Sequence, residues 1–276
     1  MILVGDLGGT KAKLALASKR DNSWCIDGVR SYPSRRYPGL AAIIGEYLAG
    51  THAQVDRACI GIPGPVVGGQ ATAVNLGWHL SEEGLQQELG LPRLRLANDL
   101  EILGYAVPEL GPADLATIHA GVAQPSGAIA ILAPGTGLGQ GYLCWDGARY
   151  RPGASEGGHA DLAPNGEEQT RLLEFLRAEF GHVSWERVLS GPGLHNIYRF
   201  LALEGDEPAW VAQRLAQGDA SAAISALALE GADARCVRAL ELFVALFGAQ
   251  AGNMALTFLA TGGVYLGGGI PPKILP

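Results

Sequence analysis

The stretch Ile2-Leu3-Val4-Gly5-Asp6-Leu7-Gly8-Gly9-Thr10-Lys11-Ala12-Lys13-Leu14-Ala15-Leu16 opens the chain with an apolar run, a glycine-rich turn and a second mostly apolar run. Short apolar runs bounded by turn residues read as buried strands. The pattern predicts paired strands over 2–7 and 12–17. Two readings of the turn stand side by side. One is a plain hairpin closed by Gly8-Gly9. The other is a phosphate cradle, in which glycines take positive φ and leave amides open to a ligand, with the Thr10 hydroxyl completing a ring of donors. Asp6 at its edge would hold Mg²⁺ through water. No Gly-Lys-Ser/Thr follows, so this is not a P-loop, and the G-x-G-x-x-G order of a dinucleotide fingerprint is missing.

The same pattern recurs. Ala128 to Ala133 reads as a strand, Pro134-Gly135-Thr136-Gly137-Leu138-Gly139-Gln140-Gly141 as a glycine turn with a threonine, and Tyr142 to Trp145 as a strand. A third glycine turn, Gly267-Gly268-Gly269, follows an apolar run at 262–266. Strand, glycine turn and strand occurring twice predict a duplicated nucleotide-binding architecture, with one phosphate loop from each half.

Between the turns, strands and helices alternate, which marks an α/β chain. Leu40 to Leu48 has helical spacing, Arg57 to Ile62 reads as a strand, and Arg30 to Pro38 as a polar loop. Ala71 to Leu76 reads as a strand, Gly77 to Leu80 as a turn, and Ser81 as the cap of a helix opening with Glu82 and Glu83. Leu94 to Ala97 is a strand with Asn98-Asp99 at its carboxyl end, where open α/β sheets bind ligands. In Gly153 to Asp161, Glu156 and His159 flank two glycines, so both side chains can turn toward one small ligand. His159 could equally be a structural histidine. Ser184 reads as a cap that puts Glu186 in a first turn, where it could be a surface acid complementing the dipole. Glu167 to Phe180 is helical, Ser190 to Gly193 a turn, and Cys236 to Leu259 a long apolar helical region that reads as core, whose stretch from Leu240 to Leu259 could also contribute to a dimer interface.

The chain has 276 residues, 48% of them hydrophobic, enough for a sizeable core in one large or two ordinary domains. A net charge of −7 argues against a nucleic-acid or acidic-membrane partner. The four cysteines are scattered, without metal-ligand or disulfide spacing, which fits a reducing cytosol. No uncharged apolar run reads as long enough to span a bilayer, and no signal peptide precedes the first strand.

In combination, GDLGGT at 5–10, NDLEILGYAVP at 98–108, GTGLG at 135–139, SEGGHADLAPN at 155–165, GHVSWERVLSGPGLHNIYR at 181–199 and GGVYLGGGIPPKIL at 262–275 resemble the bacterial glucokinases. Those enzymes are hexokinase-type sugar kinases of the actin-like ATPase (ribonuclease H-like) fold. The resemblance runs from residue 3 to the end. It implies two α/β domains, 1–108 and 109–276, with a cleft between them that is expected to close on sugar; the apolar 240–259 stretch and the scattered cysteines add the expectation of a cytoplasmic homodimer. It implies transfer of the γ-phosphoryl of ATP, with Mg²⁺, to the 6-hydroxyl of D-glucose in glycolysis. By position, Asp99 matches the catalytic base, and Asn98, Asp99, Glu156, His159 and Glu186 match the sugar ligands. Gly5, Asp6, Leu7, Gly8, Gly9 and Thr10 match the first ATP segment, Gly135, Thr136 and Gly137 the second, and Gly267, Gly268 and Gly269 the adenosine-side turn. Lys11 departs from the asparagine usual in relatives, and the family pattern continues past residue 276 with a strand and helix that return to the first domain. Two other readings predict features not found here. A sugar-responsive repressor would place a helix-turn-helix before the first strand and a cysteine-rich motif after the histidine. An actin-type ATPase has no need of Asn98-Asp99 together with Glu156 and His159.

Overall fold

The computed structural model describes residues 1–21, 23–51 and 53–275. The chain divides into two compact units, Met1–Leu103 and Gly104–Pro276. The division falls inside a helix, ahead of the boundary at 108 read from the sequence.

The first unit opens with an antiparallel meander of β1 (Ile2–Leu7), β2 (Lys11–Arg20) and β3 (Ser23–Pro33). Then come α1 (Leu40–Ala49), β4 (Arg57–Ile62), β5 (Val66–Val67), β6 (Gln70–Ala73), β7 (Trp78–Ser81), α2 (Glu82–Leu89), β8 (Leu94–Asn98) and α3 (Asp99–Ala106). The main sheet has the order β3-β2-β1-β4-β8, with β1, β4 and β8 parallel. The apolar face of α1, made by Leu40, Ile43, Ile44 and Tyr47, packs in one cluster with Leu3, Leu14, Ile60 and Leu94. Each such burial contributes about 1.5–3 kcal/mol relative to exposure. Ser81 caps α2 by accepting the Gly84 N–H at 3.3 Å, as its position predicted.

Two readings of this unit are corrected. β3 runs through Arg30 to Pro33, where a loop was expected. It is an edge strand with most of its side chains in water, so it lacks the apolar alternation that reveals a half-buried strand. The expected turn at 77–80 is largely β7, which pairs with β6 in a small β5-β6-β7 sheet, and the expected strand at 71–76 ends at Ala73 in a short 3₁₀ turn.

The second unit repeats the plan. β9 (Ile129–Pro134), β10 (Leu138–Trp145) and β11 (Tyr150–Ser155) form a meander, and β12 (Gly263–Leu266) adds parallel to β9. The order β11-β10-β9-β12 thus matches β3-β2-β1-β4. Between β11 and β12 lie α4 (Glu167–Phe180), α5 (Gly191–Leu201), α6 (Ala209–Ala216), α7 (Ala220–Leu229) and α8 (Ala234–Thr257), and α9 (Pro271–Ile274) follows β12. The Ser190–Gly193 segment is the start of α5 rather than a free turn. Ser190 accepts the Gly193 N–H at 3.0 Å, and Pro192 sits in the first turn, where a missing N–H costs nothing.

The 24-residue α8 is long and apolar enough, by length and composition, to cross a bilayer. Glu241 lies inside every 18-residue stretch of it, so it is not the uncharged run that the sequence reading looked for. Its Cys236, Ala239, Phe243 and Leu246 recur at helical spacing and pack into the core with Ile197 of α5 and Ile224 of α7. All four cysteines are free thiols.

Candidate active site

In the first unit, the carboxyl ends of parallel strands β1, β4 and β8 lie side by side, with Asp6 opposite Gly61 and Ile62 opposite Asn98. The opening turn is a hairpin in which the Gly8 N–H donates to the Lys11 carbonyl at 2.9 Å. That amide is therefore already engaged, and neither Gly8 nor Gly9 has a positive φ. The glycines are required by close approach instead. A Cβ on Gly8 would lie 2.9 Å from the Lys11 carbonyl oxygen, and one on Gly9 would lie 3.2 Å from the Asn75 Cβ. Gly5 sits mid-strand between Leu14 and Ile60, whose side-chain carbons fill the place of a Cβ at 2.5 and 2.8 Å. Leu7 points into the core. Asp6 and Thr10 are the exposed members of this segment.

Sequence reading missed the residue that fixes this turn. Ser34 is fully buried, its Oγ donates to the Gly8 carbonyl at 2.9 Å, and its N–H donates to the Thr10 carbonyl at 3.1 Å. It lies in a stretch that read as an ordinary polar loop, with nothing local to distinguish it.

Asn98 ends β8 and Asp99 begins α3. The Asn98 Oδ1 accepts the N–H groups of Leu100 at 2.9 Å and Glu101 at 3.2 Å, two donors that every helix start leaves orphaned. Its Nδ2 donates to the Gly64 carbonyl at 3.0 Å, and Gly64 has φ +105°, which favours glycine. Asp99 accepts the Leu100 N–H at 2.9 Å. Its carboxylate thus stands at a helix N-terminus, where negative charge is favoured.

In the second unit, Glu156, His159 and Glu186 come together. The His159 Nε2 is 3.9 Å from the Glu156 Oε2, and its Nδ1 is 3.9 Å from the Glu186 Oε1. Glu186 is not a free surface acid, because its Oε2 accepts the Leu138 N–H at 2.9 Å just past the second glycine turn. Ser184 stands in the cap position of the 3₁₀ turn Trp185–Arg187, but its side chain makes no capping bond there. The segments carrying these residues are tied together. Leu162 N–H donates to the Val183 carbonyl at 2.9 Å, Trp185 N–H to the Ala160 carbonyl at 3.0 Å, and His182 pairs with Asp161 at 2.6 Å.

The second turn spans 135–137, because β10 already begins at Leu138. The Gly135 N–H donates to the Gly137 carbonyl at 2.8 Å, and the Gly135 carbonyl accepts the Gly191 N–H of α5 at 2.8 Å. The third turn lies along the same end of β9. Gly267 N–H donates to the Leu132 carbonyl at 2.9 Å, and Gly268, with φ +84°, packs its Cα against the Pro134 carbonyl. Of the glycines assigned to ligand binding, Gly268 alone has the positive φ expected of them.

A histidine between two carboxylates offers both donors and acceptors, which suits hydroxyls that do both. The family model described as glucokinase matches residues 3–276. A glucokinase of Tolumonas auensis is 43% identical over 274 residues, covering 99% of this chain and 83% of the relative. The chain belongs to the glucokinase family. The crystal structure of a glucokinase from an Antarctic psychrotroph aligns with TM-score 0.83 and 35% identity, over 99% of this chain and 84% of that one. A ROK family glucokinase from Streptomyces griseus, solved with glucose and AMPPNP, shares the fold at TM-score 0.66 and 22% identity, over 98% of this chain and 84% of that one. Within the glucokinase family assignment, the mixed α/β sheets, the two glycine turns at the end of β9 and the Glu156–His159–Glu186 group form one connected piece of the second unit.

Proposed function

We propose that this glucokinase-family enzyme transfers the γ-phosphoryl of ATP to the 6-hydroxyl of D-glucose, with Asp99 as general base. The observation that carries the reading is His159 flanked by Glu156 and Glu186, with Glu186 bonded to the amide that follows the Thr136 turn. In this reading one carboxylate, Glu186, serves the sugar and steadies the phosphate-side turn together. Asp99 accepts the hydroxyl proton as the new oxygen–phosphorus bond forms. Asn98 orients Asp99 through its cap of α3 and keeps one amide hydrogen for a hydroxyl. Glu156, His159 and Glu186 hold the remaining hydroxyls.

The phosphates of ATP are assigned to the first segment, at Asp6 and Gly8 to Thr10, and to Gly135, Thr136 and Gly137, with the adenosine toward Gly267 to Gly269. Asp6 is exposed, and no cluster of three or more metal-ligating side chains is found among the described residues. This donor set fits a hydrated Mg²⁺ that arrives with ATP and touches Asp6 through water. Bound there, the ion supplies charge neutralisation at the transferring phosphate. The repeated β3-β2-β1-β4 and β11-β10-β9-β12 plan supports the actin-like ATPase fold. A net charge of −7 supports a partner other than nucleic acid. Exposed Val244, Leu256 and Leu259 support a homodimer through the α8 region. The free thiols support a cytoplasmic place, with glycolysis as the setting.

The test is Asp99→Ala in a coupled assay for glucose 6-phosphate, with glucose binding followed by calorimetry. The expected result is a fall in kcat of about 10²–10⁴-fold with glucose binding retained. Near-normal turnover would remove Asp99 from the role of base.

A further inference from the structure

Gln140 lies in the middle of β10, 2% exposed, with Leu132 and Ser155 as its cross-strand neighbours. Its Nε2 is fully buried without a hydrogen-bond partner. An amide in this position is costly, since a buried donor left unpaired forfeits its hydration. A leucine or methionine would fill the same space without that penalty.

What surrounds the amide gives it a task. The turn Gly157–His159 lies against the start of β10, with Gly157 beside Gln140 and Gly158 beside Leu138. A Cβ on Gly157 would come within 2.5 Å of the Gln140 Oε1 and 3.0 Å of the Ser155 Oγ, and Ser155 accepts the Gly157 N–H at 2.9 Å. At Gly158 a Cβ would strike the Leu138 carbonyl of β10. The His159 N–H closes the turn on the Glu156 carbonyl at 2.9 Å. Glutamine and glycine are thus a matched pair across the contact, and the directions of Glu156 and His159 depend on where Gly157 rests.

We infer that Gln140 is a positioning residue for hexose recognition: the Oε1 end of its carboxamide, against Gly157, seats the Glu156–His159 turn. The inference rests on the proposed assignment of Glu156 and His159 to the sugar. Gln140 is the third residue of β10, three positions beyond Gly137, and acts through the turn above it.

The experiment compares wild type with Gln140→Met in steady-state kinetics for both substrates, with thermal unfolding alongside. Wild-type phosphorylation of glucose tests the kinase reading by itself, so a null effect of the substitution strikes only the role of Gln140. The expected result is a KM for glucose raised about tenfold, equivalent to about 1.4 kcal/mol. The kcat and the KM for ATP should stay within about twofold. An unchanged KM for glucose overturns the inference, as does a parallel rise in both KM values with a lowered Tm. If Gln140→Met does not fold, Gly157→Ala alone and together with Gln140→Ala decides the matter. Relief of the glucose KM defect of Gly157→Ala in the double variant supports the matched pair, and simple additivity overturns it.

Discussion

Glu186 and Gly137 compete for one position: the Glu186 Oε2 lies 2.5 Å from where a Cβ on Gly137 would stand, while accepting the next N–H, that of Leu138, at 2.9 Å. The glycine is held to its identity by a carboxylate, since its φ is not in the positive range. Gly137→Ala should therefore leave stability nearly unchanged, because a glutamate side chain can swing aside. It should also displace Glu186 from His159. Kinetics should show the KM for glucose raised about tenfold, with Tm moved by no more than a few degrees. A wild-type KM would mean that Glu186 does not need its present place.

Gly158 is the contrasting case. A Cβ there meets the Leu138 backbone carbonyl, which cannot rotate away. Gly158→Ala should cost about 1–3 kcal/mol of stability, read as a shift in the urea midpoint at constant m. An unshifted midpoint would show that the turn can lift from β10.

Asn98→Ala removes the acceptor for two helix-start N–H groups and the donor to Gly64. Loss of a cap costs about 1 kcal/mol, and the freed Gly64 carbonyl adds to it. Urea unfolding should show a loss of about 1–2 kcal/mol, and kcat should fall because Asp99 loses its fixed approach. Asn98→Asp keeps the acceptor for the two helix-start N–H groups but not the donor to Gly64, so it should recover only the part of the stability that the cap supplies.

Burial first, then the hydrogen bond and charge of Asp233, push the Cys236 thiol up to about 12 from its ordinary 9.0. The folded state keeps this proton where the unfolded chain releases it. Stability from this group is complete below pH 9 and is lost as pH rises toward 12, at up to about 1.4 kcal/mol per pH unit. Tyr198, raised above its ordinary 10.0 by burial and by Glu207, acts in the same direction at higher pH. Urea titrations between about pH 8.5 and 11 should show falling stability in wild type and a flatter profile in Cys236→Ala. Parallel profiles would exclude the thiol as the source.

The parts of the fold legible in sequence are those whose signal is local. β4, β8, α1, α2 and α4 carry apolar spacing or a cap that states their type, and α4 occupies the residues read for it. β3 and β7 escaped because a strand paired at a sheet edge needs little apolar surface of its own. The start of α5 escaped because Gly191-Pro192-Gly193 spells a turn, whereas Ser190 makes it a cap. Glu186 was legible as an acid of interest and not as a ligand of the Leu138 amide, since that bond joins residues 48 positions apart.

By itself, the sequence determined the family and the three glycine turns, and it named the residues proposed here to carry chemistry, because these depend on residue type and order. The tertiary structure decided which amides of those turns are already engaged and why each glycine is needed, and it set His159 between two carboxylates. Those outcomes turn on distances of a few ångströms between segments far apart in the chain. Only the packing within each unit, around β1 to β4 in the first and β9 to β12 in the second, fixes such distances.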